Sequence, residues 1–161
     1  YSVCKKINLT VMEKISFTDI LKSDQPRKEK ATLIAEAIHK EKNYSWVGIY
    51  DVKDSEISII SFSGRMEPVL TSFPKDKGLN GKAVMLKETV VVNDINEDDD
   101  YLLTFSDTKS EIIVPVFTAN NETVTGTIDA ESETKNAFSK EDAGFLEECA
   151  KAIQSLWGNK G

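Results

Sequence analysis

The residues best placed to do chemistry are acidic and aromatic, and they fall on predicted strands. Thr123–Glu131 reads TVTGTIDAE. Side chains alternate along a strand, so Asp129 and Glu131 project from one face together with Thr125 and Thr127. Val124, Gly126, Ile128 and Ala130 take the opposite face and read as core. Glu111 opens a second strand, EIIVPVF, where a carboxylate at an edge is ordinarily solvated. Should Glu111, Asp129 and Glu131 converge, their repulsion needs an answer. A bound ammonium group, a metal ion, or raised carboxyl pKa values would supply one. Trp46 and Tyr50 share a face of a third strand, SWVGIYD, with Gly48 between them. Two rings flanking a glycine-made hollow can wall a ligand pocket, and equally can be ordinary core.

The remaining inventory narrows the chemistry. The two cysteines, Cys4 and Cys149, stand at opposite ends of the chain without metal-ligand spacing. They read as reduced thiols of a cytosolic protein. The single histidine, His39, lies beside Lys40 and Glu41 near a predicted helix end. This inventory is too thin for a catalytic triad or a zinc site, so no catalytic residue, metal or cofactor is assigned. The acidic stretch Asn96–Asp100 reads as a solvated loop, since no EF-hand pattern surrounds it to bind calcium.

A formal net charge of −7 repels phosphate backbones and anionic lipid, arguing against nucleic acid and membrane as partners. No run of 18 apolar residues offers a transmembrane helix. The opening Tyr1-Ser-Val-Cys-Lys-Lys has no apolar stretch behind it, so it is not a secretory signal, and a cytoplasmic location is expected. The absence of an initiator Met suggests a trimmed chain or an excised domain.

Elements that could position these residues follow from periodicity. The length of 161 residues, 40% hydrophobic and 29% charged, suits one domain over 1–161. Its core runs from about 26 to 157 behind a helical segment at 1–25. Residues 9–22 are weakly helical. Ala31, Ile34, Ala35 and Ile38 make a clear helical stripe over 27–41, with Pro26 just before it. Strands are expected at 45–51, 56–62 and 68–73. Gly78-Leu-Asn-Gly81 then opens a short helix to about Leu86, and a strand follows at 89–93. The strands at 111–117 and 123–131 form a hairpin across Asn120-Asn121. Pro115 predicts an edge or a bulge. A final helix starts at Ser139, whose capping pattern ends in Asp142, and carries the stripe Phe145, Cys149, Ala152, Ile153 and Leu156. The expected architecture is α+β: an antiparallel sheet of five or six strands, with N- and C-terminal helices on one face and a pocket on the other.

Several strings, in this order, resemble the GAF domains of the free methionine-R-sulfoxide reductase family. They are Trp46-Val-Gly-Ile-Tyr50, Gly78-Leu-Asn-Gly81, Val91-Val-Asn-Asp94, Ser110-Glu-Ile-Ile-Val-Pro115, Gly126-Thr-Ile-Asp-Ala-Glu-Ser132 and Phe138-Ser-Lys-Glu-Asp142. The resemblance implies that Trp46, Tyr50, Glu111, Asp129 and Glu131 hold an amino acid ligand. Position 131 carries Glu where the family has Asp, which lengthens the side chain. The family's reducing cysteines fall at Pro68, Asn80 and Thr104, and none of these is a thiol. What carries over is a binding frame. The expectation is a sensor or signalling domain for a small polar ligand, acting on a partner protein. The alternatives are a reductase-like enzyme, or a module that forms homodimers through its terminal helices around a vestigial pocket.

Overall fold

The computed structural model describes residues 17–158. Of the segment expected to be helical over 9–22, helix α1 (Phe17–Lys22) is described, while residues 9–16 and Cys4 lie outside the described residues. Helix α2 (Arg27–Lys42) buries Ala31, Ile34, Ala35 and Ile38, as its stripe requires. It stops at Asn43, which takes a left-handed conformation (φ 54°) and donates its N–H to the His39 carbonyl. His39 sits in the last turn, with Nδ1 2.8 Å from the Ser63 hydroxyl.

Six strands follow: β1 (Trp46–Val52), β2 (Glu56–Ser63), β3 (Ser72–Pro74), β4 (Val90–Val92), β5 (Ser110–Phe117) and β6 (Val124–Ser132). They form one antiparallel sheet in the order β3-β2-β1-β6-β5-β4. Helix α3 (Gly78–Leu86) lies between β3 and β4 in sequence, and helix α4 (Lys140–Ala152) follows β6. The third strand is shorter than expected, pairing only around Ile57↔Phe73.

Pro115 sits where the sheet permits it. Strand β4 pairs only with Glu111–Ile113, so Pro115 lies past its end on that side of β5, with a register shift just beyond at Val116/Phe117. That shift corrects one expectation. Phe117 pairs with Val124 while Val116 pairs with Gly126, so Thr125 is the extra residue and the alternation flips there. Val124 therefore packs with Trp46 and Tyr50 rather than with Ile128 and Ala130.

Helices α2 and α4 cover one face of the sheet, over Val47, Ile49, Ile112, Val114, Ile128 and Ala130. Helix α3 packs on the opposite face, where Leu79 and Ala83 meet Val90, Val92 and Ile113. The Ser139 cap is a complete capping box, with Ser139 and Asp142 satisfying each other's backbone donors. The apolar stripe of α4 is rotated from expectation. Leu146, Cys149, Ala150 and Ile153 are buried, Phe145 is half-buried and Ala152 is exposed.

A polar buckle closes the helix-covered side. Arg27 donates to both Asp51 carboxylate oxygens (2.8 and 2.6 Å) and to the Leu156 carbonyl (3.0 Å). Trp157 donates its indole N–H to Asp51 at 2.8 Å and lies under the Arg27 guanidinium, 5.6 Å from its centre. The same indole rests on Gly126, where an added Cβ would come within 2.1 Å of it. Gly126→Ala is expected to displace Trp157 and cost about 1–3 kcal/mol in urea denaturation. Gly144→Ala is the control: it has open space inside α4 and is expected to stabilise by about 0.5–1 kcal/mol.

Candidate functional site

Strand register builds the site. On the face away from α2 and α4, Trp46 stands opposite Glu131, which stands opposite Glu111 on the next strand. One step along, Gly48 stands opposite Asp129, and next Tyr50 opposite Thr127. Side chains diagonal to one another across strands also meet. The result is that Glu111, Asp129 and Glu131 each offer an oxygen within 4.8 Å of the others, and all three residues are at most 3% exposed. Glu111 is thus not a solvated edge carboxylate: β5 is flanked by both β6 and β4 at that residue.

Helix α3 supplies the polar partner that the spacing of acids and rings does not reveal. The Asn80 side-chain amide donates to Asp129 Oδ2 at 2.9 Å, and its carbonyl accepts from the Thr127 hydroxyl. Thr108, in the segment before β5, donates to Glu131 Oε2 at 2.8 Å. With the three acids ionised, Asp129 Oδ1 and Glu131 Oε1 are buried without a hydrogen-bond partner; a proton on Glu111 would be donated to Asp129. None of the ion pairs among the described residues involves the three acids. The signal for Asn80 was the Gly78-Leu-Asn-Gly81 string. Gly78 has φ +72° and lies against Leu102, placing the start of α3 and the 102–104 segment over the carboxyl groups.

Burial therefore dominates the electrostatics. Desolvation pushes Asp129 up to about 7, with hydrogen bonds from Glu111 and Asn80 pulling the other way. Desolvation and the Asp129 charge push Glu131 up to about 8, against the Thr108 hydrogen bond. Glu111 rises well above the usual carboxylate range, from desolvation and then from its two acidic neighbours. Tyr50 is likewise raised, by burial first and the same charges second, so it stays a phenol.

A cavity of about 20 Å³ opens beside this cluster, lined by Tyr50, Phe73, Asn80, Thr104, Glu111 and Asp129. That is room for about one water. Glu131 adjoins it through the carboxyl cluster. Trp46 stands apart: it stacks on Phe62 (centroids 5.9 Å, planes 17° apart) and lines a separate recess with Phe105 and Thr108. Gly48 provides no hollow. A Cβ there would lie 2.3 Å from the Trp46 ring and 2.9 Å from that of Tyr50, so the rings already fill the space. Cys149 is buried on the helix-covered side, its thiol pushed up to about 12 by desolvation. Asn80 and Thr104 line the cavity where the resemblance places cysteines, whereas Pro68 does not. Among the described residues no thiol lines it.

The antiparallel six-stranded sheet carries two helices on one face and, on the other, a buried carboxyl cluster beside a small polar cavity, the layout of one α+β module. The chain belongs to the GAF domain family, which it matches over residues 25–156. It is 33% identical over 112 residues to the free methionine-R-sulfoxide reductase of Saccharomyces cerevisiae, covering 68% of this chain and 61% of that one. The chain thus spans less than two thirds of the yeast protein's length. Its structure is similar to a type II free methionine-R-sulfoxide reductase from Thermoplasma acidophilum, at 29% identity and TM-score 0.75, covering 82% of this chain and 95% of that one. It is also similar to the Neisseria meningitidis free methionine-R-sulfoxide reductase in complex with its substrate, at 26% identity and TM-score 0.83, covering 99% and 93%. No helix among the described residues is long and apolar enough to cross a membrane.

The carboxyl groups give a stability prediction with a definite sign. A folded-state pKa above the unfolded value means that the native state binds more protons between the two. The stability that these groups contribute is complete below about pH 4 and is lost as pH rises through about 7 to 8. In thermal melts without ligand, wild type minus Asp129→Asn should therefore fall between pH 5 and pH 9.

Proposed function

We propose that this GAF domain binds a small ligand bearing a protonated amine, an amino acid or a modified amino acid, and acts as its sensor. The observation that carries this is the pair of oxygens, Asp129 Oδ1 and Glu131 Oε1, left without a partner when the acids are ionised, inside a buried acidic cluster that no basic side chain among the described residues neutralises. An ammonium group offers three N–H donors and a compact positive charge, one donor for each carboxylate. Charge-assisted bonds of this kind are roughly twice as strong as neutral ones. Tyr50 and Phe73 give the remainder of the ligand an apolar wall. A free amino acid is larger than the 20 Å³ cavity, so entry requires the 102–104 segment to move away from Gly78. The signal would pass through the outer surfaces of the terminal helices to a partner protein or a second copy. Leu156 and Trp157 are already engaged within the chain.

A second reading is a reductase of free methionine sulfoxide, favoured by the 33% identity to the yeast enzyme. Sulfoxide reduction needs a thiolate at the sulfur. The amide of Asn80 and the hydroxyl of Thr104 cannot form the disulfide that completes it, so turnover would require an external thiol or Cys4 or Cys149 brought to the site.

A thermal-shift panel of free amino acids and both methionine sulfoxide epimers separates the readings. A ligand at 100 times its Kd adds about 2.7 kcal/mol, or roughly 5–10 °C for a domain of this size. The expected result is a shift of that size with at least one amine ligand, lost in Asp129→Asn, and no consumption of sulfoxide when dithiothreitol is supplied. Sustained thiol-dependent turnover would establish the reductase reading instead.

A further inference from the structure

We infer that the site exchanges protons for its ligand's positive charge: the three carboxyl groups hold protons in the closed pocket, and release them to solvent as an ammonium group enters. This rests on the amine-binding reading and adds its regulation, an affinity that rises with pH across the neutral range.

The geometry leaves few other ways to balance the charge. Glu111, Asp129 and Glu131 are at most 3% exposed and bring oxygens within 4.8 Å of one another. Among the described residues, their surroundings add no cation from any packed element. Strand β1 contributes Tyr50 and helix α3 contributes Asn80, both uncharged. The covering segment contributes Thr104, Thr108 and Tyr101 together with Asp98 and Asp107, whose negative charges bear on Glu111 and Glu131. Lys82, on the same helix as Asn80, is taken by Asp98 at 3.1 Å and Asp100 at 3.6 Å. Two or three ionised carboxylates at this spacing, without water, repel strongly. A protonated carboxyl instead donates to its neighbour, and Asp129 Oδ1 is the acceptor left free for such a bond. When R–NH₃⁺ enters, each carboxylic O–H that ionises gives its proton to the buffer, and the resulting carboxylate accepts an N–H from the ligand. The ligand keeps all of its own protons, and no electrons are transferred.

The test is isothermal titration calorimetry with L-methionine-R-sulfoxide in phosphate and in Tris at pH 6.5. These buffers have very different heats of protonation, so the difference in observed heat counts protons released. The expected result is release of at least half a proton per ligand, with affinity at pH 8 at least tenfold above that at pH 6. Glu111→Gln, which removes one carboxyl while keeping its shape, should lower the proton count. Binding with identical heats in the two buffers and a flat pH profile would overturn the exchange and leave the amine-binding reading standing. Failure of this probe and of every amino acid to bind at any pH would overturn both.

Discussion

Three carboxyl groups removed from water on one sheet face set the terms for the rest of this molecule. Desolvating a carboxylate costs several kcal/mol unless a charge or a set of donors compensates. Here the compensation is partial: one amide from Asn80 and one hydroxyl from Thr108. Such an arrangement persists only if the scaffold beneath it is over-determined. The opposite sheet face provides that, with Val47, Ile49, Ile112, Val114, Ile128 and Ala130 locked under two helices. A strand carrying Ile128 and Ala130 inward cannot avoid turning Asp129 and Glu131 the other way. The register that buries the apolar face therefore fixes the acids in the pocket.

The two sides of the sheet are also mechanically joined. Tyr50 faces the cavity and its neighbour Asp51 receives Arg27 and Trp157. Asp129 faces the cavity, and Gly126 on the same strand supports the Trp157 indole. A displacement of β1 or β6 is therefore felt at Trp157, in the last described turn, through a few hard contacts.

Much of this was legible in the sequence because period-2 and period-3.6 patterns report burial. The α2 stripe, the Ser139 cap, the hairpin and the same-face placement of Asp129 and Glu131 all followed from spacing. What spacing could not report was displacement by one residue: the Thr125 bulge that turns Val124 into the pocket wall, and the rotation that exposes Ala152. Alternation within Trp46–Tyr50 gave the shared face but not ring packing, so the hollow expected over Gly48 is filled by the Trp46 indole. Asn80 was visible as part of the Gly78-Leu-Asn-Gly81 string and as the occupant of a position expected to hold a thiol. Its role as the buried partner of Asp129 depends on α3 folding over the sheet, a long-range contact that no local pattern encodes.

Carboxyl ¹³C NMR titration of the ligand-free protein, with Glu111, Asp129 and Glu131 assigned through single Gln or Asn variants, addresses the central claim most directly. The buried, uncompensated cluster predicts at least one of these groups titrating at or above pH 7, with the others moving in coupled steps. Three independent titrations below pH 5 would mean that the acids are hydrated or already neutralised, and the site would then need no cationic ligand.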